Sequence, residues 1–76
     1  MSNQRHNEPM MQVVAKRLSE IRKAANLSQN KVYKDTKIHV GRIESGYANI
    51  TLGTLSDLCK YYNISFEELF DKDEFK

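Results

Sequence analysis

The 76-residue sequence lacks most of the features that would indicate an enzyme or a membrane protein. The single cysteine, Cys59, excludes an internal disulfide framework, and no apolar run approaches the ~20 residues of a membrane span. There is no nucleophile-base pair and no phosphate-binding glycine loop, so we expect neither catalysis nor a cofactor. His39 has no second histidine or acidic partner at ligand spacing, and we expect no bound metal. These absences favour a soluble, cytoplasmic binding protein.

The length permits one small domain with a modest core and a stability near the low end of the usual ~5–15 kcal/mol. Residues 1–9 are polar and have no apolar segment of the kind found in signal peptides, so we predict a flexible leader over residues 1–10. We assign residues 11–70 to the domain and residues 71–76 to a charged tail.

The formal net charge of +2 is small, but the charges are unevenly distributed. Residues 16–42 contain eight lysines and arginines against Glu20 and Asp35, whereas residues 57–76 contain six acids against three lysines. A basic half is expected of a protein that contacts phosphates. The alternative is an ordinary solvated helix surface.

The middle of the chain contains two short helical patterns separated by a tight break. Ser28 can cap the first helix, with Leu27 and Val32 at the spacing of a hydrophobic staple. Residues 35–36 compete with a continued helix, and a second helix then ends at Gly46. Two short helices joined by a tight turn predict a helix-turn-helix.

Three more helices surround this pair. Residues 14–25 have apolar side chains at helical spacing and end at Asn26, which tolerates a left-handed cap. Thr51 begins a fourth helix, and Ser65 begins a fifth with a capping box to Glu68. The predicted apolar stripe of the fourth helix consists of Leu52, Leu55, Leu58, Cys59 and Tyr62.

The motifs LSQ, RIESG and NITLGTLSDLCKYYNISFEELF, in this order, resemble the lambda-repressor-like (Cro/XRE-type) helix-turn-helix family over residues 13–70. The resemblance implies an all-α, compact five-helix domain whose third helix enters the major groove of double-stranded DNA. It implies a small bacterial transcriptional regulator, most simply a repressor that binds as a homodimer. It also implies that Arg22 pairs with the glutamate of the RIE motif, Glu44.

Two sets of residues are predicted to contact DNA. Side chains and backbone near the start of the third helix can approach base edges, and these residues are Lys37, His39, Val40, Gly41 and Arg42. Phosphate contacts are predicted at the start of the second helix, on its basic surface and in the loop after Gly46, from Ser28, Gln29, Lys31, Lys34, Tyr47 and Asn49. Gly41 permits close approach to the duplex, or else it relieves crowding against a neighbouring helix.

The turn is three residues shorter than a common pattern of the family, which leaves two registers open. In the first, Ile38 keeps a core position, Lys37 takes the place of a turn glycine and the recognition helix loses its first turn. In the second, Thr36 caps the recognition helix and the second helix is shortened. We prefer the first because it keeps Ile38 in the core. Tyr33 also departs from the small residue that the family prefers at its position.

A protein-interaction module, antitoxin-like or adaptor-like, is the alternative to a DNA-binding function. The short turn, Gly41 and the absence of lysine or arginine at positions 47–48 favour it. The predicted contact of a homodimer consists of Tyr61, Tyr62, Phe66 and Phe70.

Overall fold

The computed structural model describes residues 8–71, and within them the chain forms five α-helices and no strands. The helices are α1 Glu8–Ala24, α2 Gln29–Thr36, α3 Val40–Glu44, α4 Leu52–Tyr62 and α5 Phe66–Leu69. The predicted all-α, five-helix lambda-repressor-like fold is confirmed. Most of the predicted leader and tail, residues 1–7 and 72–76, lies outside the described residues.

Helix α1 begins earlier than the sequence indicated. It starts at Glu8 and not at Val14, so residues 8–10 of the predicted leader are helical. Pro9 lies in the first turn, where a missing backbone N–H costs no helical hydrogen bond. Pro9 and Met10 are exposed and precede the apolar face that begins at Val14, and a prediction from periodicity therefore missed this turn. The helix ends close to the predicted position, with Asn26 at φ 60°.

Side-chain caps set the starts of three helices at the predicted residues. The hydroxyl oxygens of Ser28 and Thr51 each accept a hydrogen bond of 3.0 Å from a backbone N–H three residues later. Ser65 does the same with Glu68, whose carboxylate accepts a bond of 2.9 Å from the Ser65 N–H. Each cap contributes about 1 kcal/mol to helix stability, so local chemistry defines these boundaries.

The core draws side chains from all five helices: Val14, Leu18, Val32, Val40, Leu55, Leu58, Cys59, Tyr62 and Leu69. Burial raises the pKa of the Cys59 thiol, consistent with a small core residue. The prediction for Leu52 is wrong: its side chain is 78% exposed because it lies at the first residue of α4, ahead of the turn that reaches the core. The predicted dimer contact also loses Tyr62, which is buried.

Arg17 links α1 to the C-terminal end of α5. Its Nε donates 3.0 Å to the carbonyl oxygen of Leu69, and its Nη2 donates 2.8 Å to that of Glu68. These carbonyls belong to the last residues of α5, which have no partners within that helix. The arginine therefore fixes the short α5 against α1.

Candidate nucleic-acid interface

The turn between α2 and α3 has the first of the two possible registers. Helix α2 runs to Thr36, whose hydroxyl donates 2.7 Å to the Val32 carbonyl and accepts 3.0 Å from the Ile38 N–H. Lys37 then has φ 65°, the left-handed conformation that usually favours glycine, and its N–H donates 2.7 Å to the Tyr33 carbonyl. Ile38 packs against the core as expected. The missing residues are therefore lost from the front of α3.

Helix α3 has five residues, and its short length changes which side chains are available to DNA. His39 occupies the N-cap position without a side-chain capping bond, and Gly41 and Arg42 are exposed. Val40 is only 2% exposed and belongs to the core. The prediction that Val40 reaches a base edge is wrong, because Val40 lies on the same face of α3 as Ile43, three residues later, which also packs against the core.

A buried ion pair holds α3 to α1, as the resemblance implied. Arg22 is 8% exposed and makes two bonds to the Glu44 carboxylate, of 2.8 Å from Nε and 3.0 Å from Nη2. Its remaining nitrogen, Nη1, donates 2.7 Å to the Leu27 carbonyl. The hydrogen bonds to Glu44 raise the pKa of Arg22 despite its burial. The ion pair therefore fixes α3 against α1. The bond to Leu27 also holds the segment before α2 against Arg22.

Gln29 extends this network to the surface. Its Nε2 donates 2.9 Å to Glu44 Oε1, so the glutamate links Gln29 to Arg22. A Cβ atom at position 41 would lie 3.2 Å from Gln29 Oε1. The carboxamide thus lies between α2 and the exposed Gly41, and as the end of a flexible, exposed side chain it can shift to admit a Cβ atom. Gln29 is also exposed, at the predicted DNA-facing end of α2.

Two adjoining clefts lie beside α3. One, of about 350 Å³, is lined by Gly41, Arg42, Ser45, Tyr47 and Ala48. The other, of about 360 Å³, is lined by His39, Arg42, Ile43, Tyr47, Ala48 and Asn49. The structure therefore brings together five residues that the sequence singled out for DNA contact, namely His39, Gly41, Arg42, Tyr47 and Asn49.

Tyr33 forms an exposed cluster with the two turn residues. Its ring centroid lies 4.5 Å from that of His39 with an interplanar angle of 34°, and Lys37 Nζ lies 5.6 Å from the Tyr33 centroid. In the sequence, Tyr33 is distinguished only as a departure from the small residue that the family prefers at its position. Lys37 lies just past the end of α2 in a left-handed conformation, so helical spacing alone does not predict this contact.

The two lysines of α2, Lys31 and Lys34, have different surroundings. Lys31 Nζ lies 3.3 Å from Asp35 Oδ1 in an exposed pair, whereas the structure gives Lys34 an exposed position on the same helix. Asp35 also accepts a hydrogen bond of 2.5 Å from the Tyr61 hydroxyl. This bond lowers the pKa of Asp35 and raises that of Tyr61. The exposed Ser28 hydroxyl also has a partner, because its oxygen accepts the capping hydrogen bond of α2 from the Lys31 N–H.

Two other kinds of feature are absent from the part of the chain that the structure describes, a metal-binding cluster and a membrane-spanning helix. Residues 8–71 contain no group of three or more histidine, cysteine, aspartate or glutamate side chains arranged to hold a metal ion. None of their helices combines the length and hydrophobicity needed to cross a membrane.

A family comparison assigns this architecture. The family model described as helix-turn-helix, of the Cro/C1 type (XRE family), matches residues 18–69, more than half of the chain. The chain belongs to this family of helix-turn-helix regulators that bind double-stranded DNA. The family is typically non-enzymatic. No curated protein and no solved structure matches the chain significantly.

Proposed function

We propose that the protein is a sequence-specific repressor of transcription in the bacterial cytoplasm, with α3 in the major groove of its operator. The observation that carries this proposal is the grouping of His39, Arg42, Tyr47 and Asn49 around one cleft beside the exposed Gly41. Cationic, imidazole, phenol and amide groups on one surface match the acceptors of base edges and phosphates.

The proposed roles follow from the position of each side chain. Arg42, exposed on α3, donates two parallel hydrogen bonds to guanine O6 and N7. Lys37 and His39 contact bases or phosphates next to it. Gly41 lets the backbone approach the duplex. Phosphate oxygens accept hydrogen bonds from the predicted outer residues Ser28, Gln29, Lys31, Lys34, Tyr47 and Asn49.

We also propose a homodimer on a two-fold-related site with half-sites about 34 Å apart, the usual geometry for this docking mode. With Tyr62 in the core, the proposed contact retains Tyr61, Phe66 and Phe70. Phe66 is 43% exposed, and its ring centroid lies 6.4 Å from that of Phe70. These aromatic rings, from the C-terminal end of α4 and from α5, are the proposed apolar contact surface.

The decisive experiment is selection of bound duplexes from a random DNA library at moderate salt, followed by sequencing. We expect an enriched inverted repeat, whose half-site spacing gives the dimer geometry. Retention without enrichment, together with strong salt sensitivity, would contradict sequence-specific binding. It would instead favour the use of the same helical bundle as an antitoxin-like or adaptor module that binds a protein partner.

Site variants test the assignment of residues. We expect Arg42→Ala and Lys37→Ala each to weaken binding to the selected duplex, while the free energy of unfolding changes by no more than ~0.5 kcal/mol, as for most surface substitutions. Lys60→Ala is the matched control, because Lys60 is an exposed lysine of α4 outside both clefts. Unchanged DNA binding by both site variants would contradict the assignment.

A further inference from the structure

Tyr33, which lies in α2, contacts the side chains of both Lys37 and His39 in the turn that follows. Its backbone carbonyl accepts a 2.7 Å hydrogen bond from the Lys37 N–H, which closes the end of α2. Its ring stacks on His39, and the Lys37 ammonium lies 5.6 Å from the ring centroid. The same residue therefore restrains the backbone of the turn and both of its side chains.

Without such a contact, the two side chains would be poorly ordered. Lys37 has four rotatable side-chain bonds and is exposed, and His39 makes no capping bond at the start of α3. Ordering an exposed lysine on binding DNA reduces affinity, because rotamer freedom is lost at that moment. An aromatic face that attracts the ammonium and stacks on the imidazole orders both groups beforehand.

We propose that Tyr33 is a positioning residue for DNA binding. Its ring holds the Lys37 ammonium and the His39 imidazole at the N-terminal end of α3, where the recognition helix is shortened. This inference rests on the proposed DNA-binding function and adds to it a residue that need not touch DNA. Tyr33 thus acts through Lys37 and His39, and its removal should affect binding only while those two side chains are present.

The test is fluorescence anisotropy with a labelled duplex of about 20 base pairs of mixed sequence, titrated at several salt concentrations. The proteins are the full chain, Tyr33→Ala, Tyr33→Phe, Lys37→Ala and the Lys37→Ala/His39→Ala pair with and without Tyr33→Ala. Each cation held against DNA contributes about 0.9 to the slope of log affinity against log salt. We expect Tyr33→Ala, which removes no charge, to lower this slope by most of the change seen for Lys37→Ala.

Two further results are expected. Tyr33→Phe keeps the ring and should restore the wild-type slope. Tyr33→Ala added to Lys37→Ala/His39→Ala should cause no further loss of affinity, because the groups that it positions are gone. A loss of folding alone would lower the active fraction and leave the slope unchanged, and thermal unfolding of each variant measures that contribution.

The proposal is overturned if Tyr33→Ala keeps the wild-type slope or if Tyr33→Phe behaves like Tyr33→Ala. It is also overturned if adding Tyr33→Ala to Lys37→Ala/His39→Ala weakens DNA binding further. In those cases Arg42→Ala, measured with the duplex enriched in the library selection, still weakens binding if the proposed DNA-binding function is correct. Failure of the wild-type chain to bind the duplex at any salt concentration would overturn both proposals.

Discussion

Replacing Glu44 by alanine is the sharpest test of how the recognition helix is held. The substitution removes the carboxylate that accepts bonds of 2.8 and 3.0 Å from Arg22 and 2.9 Å from Gln29. The Arg22 side chain is 10% exposed and the Glu44 side chain 5%, so water reaches the remaining guanidinium poorly. The variant therefore leaves a buried positive charge without its partner.

The expected effect is large for a domain of this size. Removing one partner of a buried pair destabilises by about 3–5 kcal/mol, because the desolvated charge that remains is not compensated. A chain of this length has a total stability near the low end of ~5–15 kcal/mol. Since 1 kcal/mol shifts the Tm of such a domain by about 4–8 °C, Glu44→Ala should lower Tm by at least about 12 °C.

Urea denaturation followed by far-ultraviolet circular dichroism measures this change. The matched control is Lys31→Ala, which breaks a pair whose lysine side chain is 57% exposed and should change the free energy of unfolding by less than ~1 kcal/mol. A second variant, Arg22→Met/Glu44→Leu, replaces both charges by apolar groups. It should recover much of the loss, because it removes the buried charge together with its partner.

Two results would refute this reasoning. A cost for Glu44→Ala as small as that of Lys31→Ala would mean that the pair behaves as a solvated surface pair. A double variant no more stable than Glu44→Ala would mean that the loss comes from packing or backbone strain and not from an uncompensated charge.

Two other predictions follow from single contacts. Gly41→Ala should raise the free energy of unfolding by up to about 1 kcal/mol and move the Gln29 side-chain amide resonances, because the new Cβ lies 3.2 Å from Gln29 Oε1; unchanged resonances would contradict this contact. The hydrogen bond from the Tyr61 hydroxyl lowers the pKa of Asp35 in the folded state and therefore stabilises the fold. This stabilisation is complete above the unfolded pKa of ~3.9 and is lost as pH falls through the lower folded pKa. Tyr61→Phe should therefore raise the Asp35 pKa, measured by carboxyl carbon NMR, and its stability should differ from wild type at about pH 6 but not in strong acid.

The features predicted best from the sequence are those decided within one helical turn. Ser28, Thr51 and Ser65 cap their helices through hydrogen bonds to a residue three positions later. Asn26 adopts the left-handed conformation for which its residue type is suited. These contacts depend on spacing alone, so the sequence contains all the information that they need.

Contacts between helices were predictable only where a motif already named both partners. The pairing of Arg22 with Glu44 came from the family resemblance, and no pattern indicated that Arg17 would bind the carbonyls at the end of α5. Leu52 matched the apolar stripe by spacing but lies beyond the packed part of α4. Periodicity defines a helix face, whereas burial depends on how far the neighbouring helices extend.

The shortened turn connects these errors to the candidate site. Loss of residues from the front of α3 makes Val40 its first residue, and because Val40 is only 2% exposed in the core it does not reach DNA. The same loss leaves His39 directly before the helix, within stacking distance of Tyr33. A recognition helix with fewer exposed positions must obtain its contacts from adjoining elements. We therefore propose that the turn, the Gln29 carboxamide and the Tyr47 loop form one DNA-binding interface with α3.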